Sequence, residues 1–322
     1  MRARADTPQP AAARPRVNRG DRAWGLILSA LGGAVLIIAG GIILSLVRVA
    51  RPVFAEVGLE DFLTGQDWDP LSDVFGALPF IYGTVVTSVL AILIALPVAL
   101  GMTLFLAEMG PKWLRQPVAF AVETLASIPS VVYGLWALFV LVPWLRQTVQ
   151  PFLGDHLGFL PLFSGPPLGL GYLAAALVLA VMILPTIASV TGEVLKTAPV
   201  AVKEGALALG ATRWEAIRMA VLPHSRPGIF GATLLGLGRA LGETMAVTMV
   251  IGNSPTISAS LFAPGYTLPS VIANEFAEAA GDRHTGALAA LALVLFGITL
   301  LLNSVARLIM QRGQRKLQGR AA

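Results

Sequence analysis

Cysteine is absent from the 322 residues, which excludes disulfides, thiolate metal sites and cysteine nucleophiles and leaves the redox compartment open. Charge is scarce as well. Only 13% of residues are Asp, Glu, Lys or Arg, against roughly a quarter in soluble domains. The three histidines, His156, His224 and His284, lie far apart in predicted loops, which argues against a histidine metal site. No G-x-x-x-x-G-K-[ST] loop is present to cradle nucleotide phosphates. The predicted faces carry no nucleophile–base–acid set, so a membrane-embedded hydrolase is the weakest of the functional classes. No covalent chemistry is expected of this chain, and no cofactor of its own.

What is present is apolar sequence, 56% of the chain. A chain this apolar cannot cover a water-facing surface, so the solvent for much of it should be lipid. The 33 glycines and 22 prolines are spread through the apolar runs. Neighbouring membrane helices can satisfy the backbone groups such residues free. Residues 1–23 read as a disordered basic tail. The run Trp24–Val47 exceeds the roughly 20 residues a bilayer needs, and it is too long for the core of a signal peptide. Further spans are predicted at about 81–106, 117–142, 170–192, 228–251 and 286–308. Pro97, Pro129 and Pro185 should kink or interrupt three of them. The expected fold is an all-α membrane protein with six transmembrane helices, its permease domain at 24–310, followed by a basic tail at 311–322.

A net charge of +5 and a basic pI would suggest nucleic acid in a soluble protein. Here the basic residues segregate by loop. Eighteen of the 23 lie in the tail up to and including Arg22, in 107–116, in 193–227 or from Arg307 onward. The opposite side holds Arg48, Arg51, Arg146 and Arg283. The positive-inside rule therefore puts both termini in the cytoplasm, as an even number of spans requires. A lipid bilayer, not nucleic acid, is the expected surroundings. The outer segment 51–80 is acidic and reads as a solvated loop or short surface helix that could also touch an external partner.

Three ionisable residues fall inside predicted spans: Glu123, Arg239 and Glu243. An Arg near the bilayer centre costs several kcal/mol. Arg239 should therefore face a protein interior or a watery cavity. Glu243, four residues on, would share its helix face. The pair could neutralise itself during insertion, or Arg239 could offer a planar fork to an anion in transit. Glu123 could be an interfacial partner of Lys112 or Arg115, or line the pathway. The glycines at 236, 238 and 242 around Arg239 sit mid-span with no preceding strand. They favour close helix packing over dinucleotide binding.

The loop 199–223 carries Glu204, Gly205, Ala206 and Gly210, then Leu222 and Pro223. This resembles the EAA loop of ABC-transporter membrane subunits, with Gly205 at a usual Ala and Ala220 at a usual Ile. A helix over 199–209, a turn at Gly210 and a second helix over Thr212–Leu222 would make an elbow able to dock on an ATPase. FGALPFIYGT (75–84), SIPSVVYGLW (127–136), GLGRALGETMAV (236–247) and NEFAEA (274–279) narrow the likeness. Together they resemble the PstC-type permease of the bacterial high-affinity phosphate ABC importer.

That resemblance implies a type I ABC importer (MetI-like) permease fold over about 78–310, with cytoplasmic coupling helices. It also implies a multi-pass protein of the bacterial inner membrane. The implied partners are a PstA-type sister permease, a PstB-type ATPase dimer that uses ATP and Mg, a PstS-type phosphate-binding protein, and phosphate itself. It makes Arg239 and Glu243 the charged pair associated with phosphate passage. Import of molybdate or sulfate by the same architecture, and an ATP-independent channel or secondary transporter, are the rival readings.

Overall fold

The computed structural model describes residues 19–279 and 281–318, so most of the expected tail at 1–23 and the last four residues lie outside it. The chain divides into two units, one ending at Arg48 and the other beginning at Val49. Residues 19–48 belong to helix α1 (Arg19–Val57), whose apolar side chains are widely exposed, Leu36 at 75% and Ile37 at 76%. Such exposure suits a helix whose solvent is hydrocarbon.

The second unit carries the remaining elements in order. They are α2 (Leu59–Thr64), β1 (Trp68–Asp69), β2 (Val74–Phe75), α3 (Leu78–Leu104), α4 (Lys112–Ser127), α5 (Ser130–Trp136), α6 (Val142–Trp144) and α7 (Gln150–Leu157). After these come α8 (Tyr172–Lys196), α9 (Val200–Ala208), α10 (Arg213–Ala216), α11 (Leu222–Gly242), α12 (Met245–Thr248), α13 (Leu268–Glu275) and α14 (Asp282–Gln318). Short π-helical turns extend α3 to Met109, join α5 through α6 to α7, and join α10 to α11. Among the described residues, five helices are long and apolar enough to cross a membrane: Ala23–Val57, Leu78–Met109, Ser130–Leu157, Tyr172–Lys196 and Asp282–Leu308.

Three sequence expectations change. The span expected at 117–142 is shifted, because Ile128 and Pro129 are extended and separate α4 from the long helix that begins at Ser130. Proline disfavours helical backbone in the residue before it, and this ends α4. The span expected at 228–251 is replaced by a 21-residue helix, α11, ending at Gly242. It is not among the five apolar spans. The histidines are in helices rather than loops: His156 in α7, His224 in α11 and His284 in α14.

The core forms where α3, α8 and α11 lie together. Ala91, Ala95 and Ala99 recur every four residues along α3, hence on one face, and are at most 1% exposed. Small residues let backbones approach where lipid offers no hydrophobic drive. On α11 the same device is more extreme. A Cβ at Gly228 would come within 2.5 Å of both Val194 methyls, and one at Gly236 within 2.9 Å of Ile187 Cγ1 and Cδ1. Two glycines of α11 thus meet two residues of α8 seven positions apart, in reverse order, which fixes the antiparallel register of the two helices.

The acidic segment after α1 forms the short helix α2 and a hairpin anchored to α13 and α14. Trp68 and Phe75 pair across a two-stranded antiparallel hairpin. Trp68 Nε1 donates to Glu275 Oε2 at 2.9 Å, and His284 Nε2 lies 3.0 Å from the same oxygen. Arg283 bridges Asp73 and Glu56 at 2.9 and 3.3 Å. In the turn, Asp69 accepts from Ser72 and from the Leu71 N–H, and these bonds hold its carboxyl below its ordinary pKa.

Replacing Gly228 with Val should cost about 1–3 kcal/mol by overpacking against the stiff Val194. Thermal unfolding of the detergent-solubilised protein should occur at a lower temperature. Gly231→Val, at a position with no atom within 4 Å of the added Cβ, serves as the control.

Candidate functional site

Arg239 sits three residues before the end of α11 and is half-buried. Its Nη1 donates to Thr186 Oγ1 on α8 at 3.1 Å. Thr186 lies ten residues from the Lys196 end of the 25-residue α8, about 15 Å along the axis at helical rise. The guanidinium is therefore near mid-depth of the bundle. Among the described residues the ion pairs do not include Arg239.

Glu243 does not share the Arg239 helix face. The helix stops at Gly242, and Glu243 is extended, with φ −71 and ψ 126. Its Oε1 accepts from the Ala246 N–H at 3.3 Å, so it caps the first turn of α12. The i, i+4 argument fails here because the helix it assumed ends one residue too early. A carboxylate suits a helix start, where unpaired N–H groups point outward. The structure thus brings Thr186 to Arg239, a residue the sequence reading passed over. A hydroxyl in the middle of an apolar helix was its only signal.

Glu123 lies elsewhere. It is exposed on α4 and lines a cavity of about 540 Å³ at the far end of α3 and α8. Glu108, Arg115, Glu193, Lys196 and Lys203 line the same cavity. No ion pair between Glu123 and Arg115 is formed, and the Lys112 side chain is outside the described set. Glu108, in the π turn that extends α3, pairs with Lys203 of α9 with only 11% of its side chain exposed. This contact ties the membrane helix to the loop that follows α8.

That loop folds as an elbow. Glu204, Gly205 and Ala206 lie on α9, with Glu204 and Gly205 exposed and Ala206 half-buried. Gly210 takes φ +87, a left-handed conformation that glycine adopts without strain. Thr212 then starts α10 with a capping box. Its hydroxyl accepts from the Glu215 N–H, while its own N–H and hydroxyl bond Glu215 Oε2 at 2.7 and 2.8 Å. Those bonds, the backbone one first, hold the Glu215 carboxyl below its ordinary pKa. The second arm is not a separate helix ending at Leu222. It runs through the π turn Ile217–Val221, past half-buried Leu222 and Pro223, into α11 without a break. Gly205, at the usual Ala position, has no atom within 4 Å of an added Cβ, so this departure from the pattern is structurally silent. The elbow also exposes Val200, Val202, Trp214 and Met219, with Leu209 at 91%.

The family described as "Binding-protein-dependent transport system inner membrane component" matches residues 95–315. A phosphate transport system permease protein PstC from Mesorhizobium japonicum is 50% identical over 282 residues, covering 86% of each chain. The protein of that name from Xylella fastidiosa strain 9a5c is 46% identical over 315 residues, 97% of each chain. A probable PstC from Methanocaldococcus jannaschii is 40% identical over 262 residues, 80% of this chain and 82% of that one. Among solved structures, a bacterial ABC transporter for import of the acidic polysaccharide alginate superposes with TM-score 0.59 at 21% identity, covering 89% of this chain and 96% of that one. An inward-facing MetNI methionine ABC transporter gives TM-score 0.53 at 18% identity, covering 77% and 99%. These two likenesses concern the fold alone, the importer-permease fold. The sequence matches carry more: the chain belongs to the inner-membrane components of binding-protein-dependent transport systems and, within them, to the PstC phosphate-permease family.

Proposed function

We propose that this chain is one half of a membrane pathway for inorganic phosphate, with Arg239 as the group that offsets the anion's charge in transit. The observation that carries the reading is Arg239 itself. It is a permanently charged fork near mid-depth, held by one neutral hydroxyl, with no carboxylate paired to it among the described residues. A guanidinium presents five donors that match the oxygens of a tetrahedral oxyanion. The names of the PstC relatives supply phosphate as that anion.

The other half of the pathway belongs to a PstA-type sister permease, and a PstS-type binding protein delivers phosphate to the outer face. A PstB-type ATPase dimer supplies hydrolysis of ATP with Mg and docks on the 199–223 elbow. Its exposed apolar residues, Leu209, Trp214 and Met219, favour a protein partner over water. Both termini lie on the cytoplasmic side with the elbow. Glu123 lines the inner mouth of the pathway. Glu243 holds the backbone that follows Arg239 instead of holding Arg239 itself.

Replacing Arg239 with Gln should lower phosphate uptake by the assembled importer roughly a hundredfold, the scale of two lost hydrogen bonds to a charged group. Complex assembly and membrane insertion should stay unchanged; uptake at the normal rate would remove Arg239 from the pathway. A second prediction concerns the elbow. Gly210→Val forces a β-branched residue into positive φ, at about 1–3 kcal/mol. ATP hydrolysis should then lose its stimulation by phosphate-loaded binding protein. Retained stimulation and transport would count against the docking role.

A further inference from the structure

Several threonines in the helices of this chain spend their hydroxyls locally, although Thr191 Oγ1 on α8 is buried with no partner among the described residues. Thr84, Thr87, Thr103, Thr233 and Thr299 each donate to the carbonyl four residues before them, at 2.6 to 2.9 Å. This is the usual arrangement for a hydroxyl inside an apolar helix, because the helix's own backbone is the nearest acceptor. Thr186 departs from it. Its Oγ1 accepts from Arg239 Nη1, and among the described residues its hydroxyl proton is donated to no protein acceptor.

The contact is built by the packing around it. Gly236 meets Ile187 at one of two close approaches of α11 to α8. Arg239 is three residues beyond Gly236, one turn on along the same face, and Thr186 is the neighbour of Ile187. The register that lets Gly236 reach Ile187 therefore also sets the Arg239 guanidinium against the Thr186 hydroxyl. A half-buried arginine has many rotamers, and a fixed acceptor selects among them.

We propose that Thr186 is a positioning and anion-contact residue of the phosphate pathway. It holds Nη1 so that the remaining guanidinium donors face the passing anion, and it offers its own O–H to one of that anion's oxygens. Thr186 and Arg239 then form a two-residue oxyanion subsite contributed by facing helices. The inference rests on the reading that Arg239 meets the anion, and it adds a residue and a division of labour to that reading. A hydroxyl suits the task because it accepts from the guanidinium and donates to the anion at once.

The test uses the complete importer, reconstituted with its sister permease, ATPase and binding protein, with inorganic phosphate as the probe. Thr186→Val keeps the shape and removes the hydroxyl, whereas Thr186→Ser keeps the hydroxyl and removes the methyl. With saturating binding protein, the maximal rate of phosphate uptake should fall roughly tenfold in the Val variant, the scale of one hydrogen bond to a charged group. The phosphate concentration giving half-maximal rate, set by the binding protein, should not move. ATP hydrolysed per phosphate transported should rise. The Ser variant should transport within about twofold of the parent, which a merely structural role for the side chain would not predict. A Val variant that transports at the parent rate overturns the proposal, as does a Ser variant as poor as Val in an intact complex. Should the Val variant fail to assemble, Thr186→Ala and Thr186→Ser are compared in its place, with the same two outcomes deciding. Arg239→Gln separates the levels: normal uptake there sinks the pathway reading itself, whereas loss there with normal Thr186→Val sinks only the role of Thr186.

Discussion

The hydrogen bond between Arg239 and Thr186 is weak beside the charge it restrains. An arginine at the centre of a membrane helix costs about 2.5–3.5 kcal/mol on insertion scales, whereas a hydrogen bond to a charged group returns about 1.5–3 kcal/mol. One hydroxyl therefore does not cancel the penalty, and the glutamate placed to do so is turned away. A chain selected only for stability would pair this guanidinium or replace it with an apolar residue. The positive charge that persists near mid-depth is a standing attraction for an anion, and the surrounding packing serves to keep it in one place.

Much of the bundle could be read directly from the sequence, because long apolar runs and charge segregation are local properties. Gly236 and Arg239 were visible as small and charged residues in an apolar stretch. Their partners Ile187 and Thr186 were not, since only the packing of α11 on α8 brings them together. Glu243 was misplaced for a related reason. Periodicity assumes a continuous helix, and nothing local announces that the helix ends at Gly242. The Ile128–Pro129 break was signalled by the proline, but the apolar residues on both sides masked how far the true span would shift. In the sequence Glu275 stood only as part of the NEFAEA stretch (274–279). Its bonds to Trp68 and His284 join segments about two hundred positions apart and nine positions apart, and no local pattern encodes the first.

At the inner end the same packing logic joins the elbow to the membrane. Glu108 reaches Lys203 from the π turn that extends α3, so α9 is fastened to one helix of the core. With 34% of the Lys203 side chain exposed, water screens the pair on one side, so losing one partner should cost less than the roughly 3–5 kcal/mol of a fully buried pair. The contact holds α9 against α3 on the near side of the Gly210 turn.

The second arm beyond Gly210 changes how motion at the elbow would travel. It was expected to be a short separate helix, but the chain is helical from Arg213 to Gly242 through the π turn. Arg213 and Arg239 are 26 residues apart on that rod, about 39 Å at helical rise. A partner that tilts the α10 end would not need a relay of side chains to reach Arg239, the proposed anion site. Along that rod Gly228 lies on Val194 and Gly236 on Ile187, two close approaches to α8. Arg239 lies three residues beyond the second approach, so a tilt of α11 on α8 would shift the guanidinium relative to Thr186. A carrier needs that property of a site that must hold its anion in one state and release it in the next.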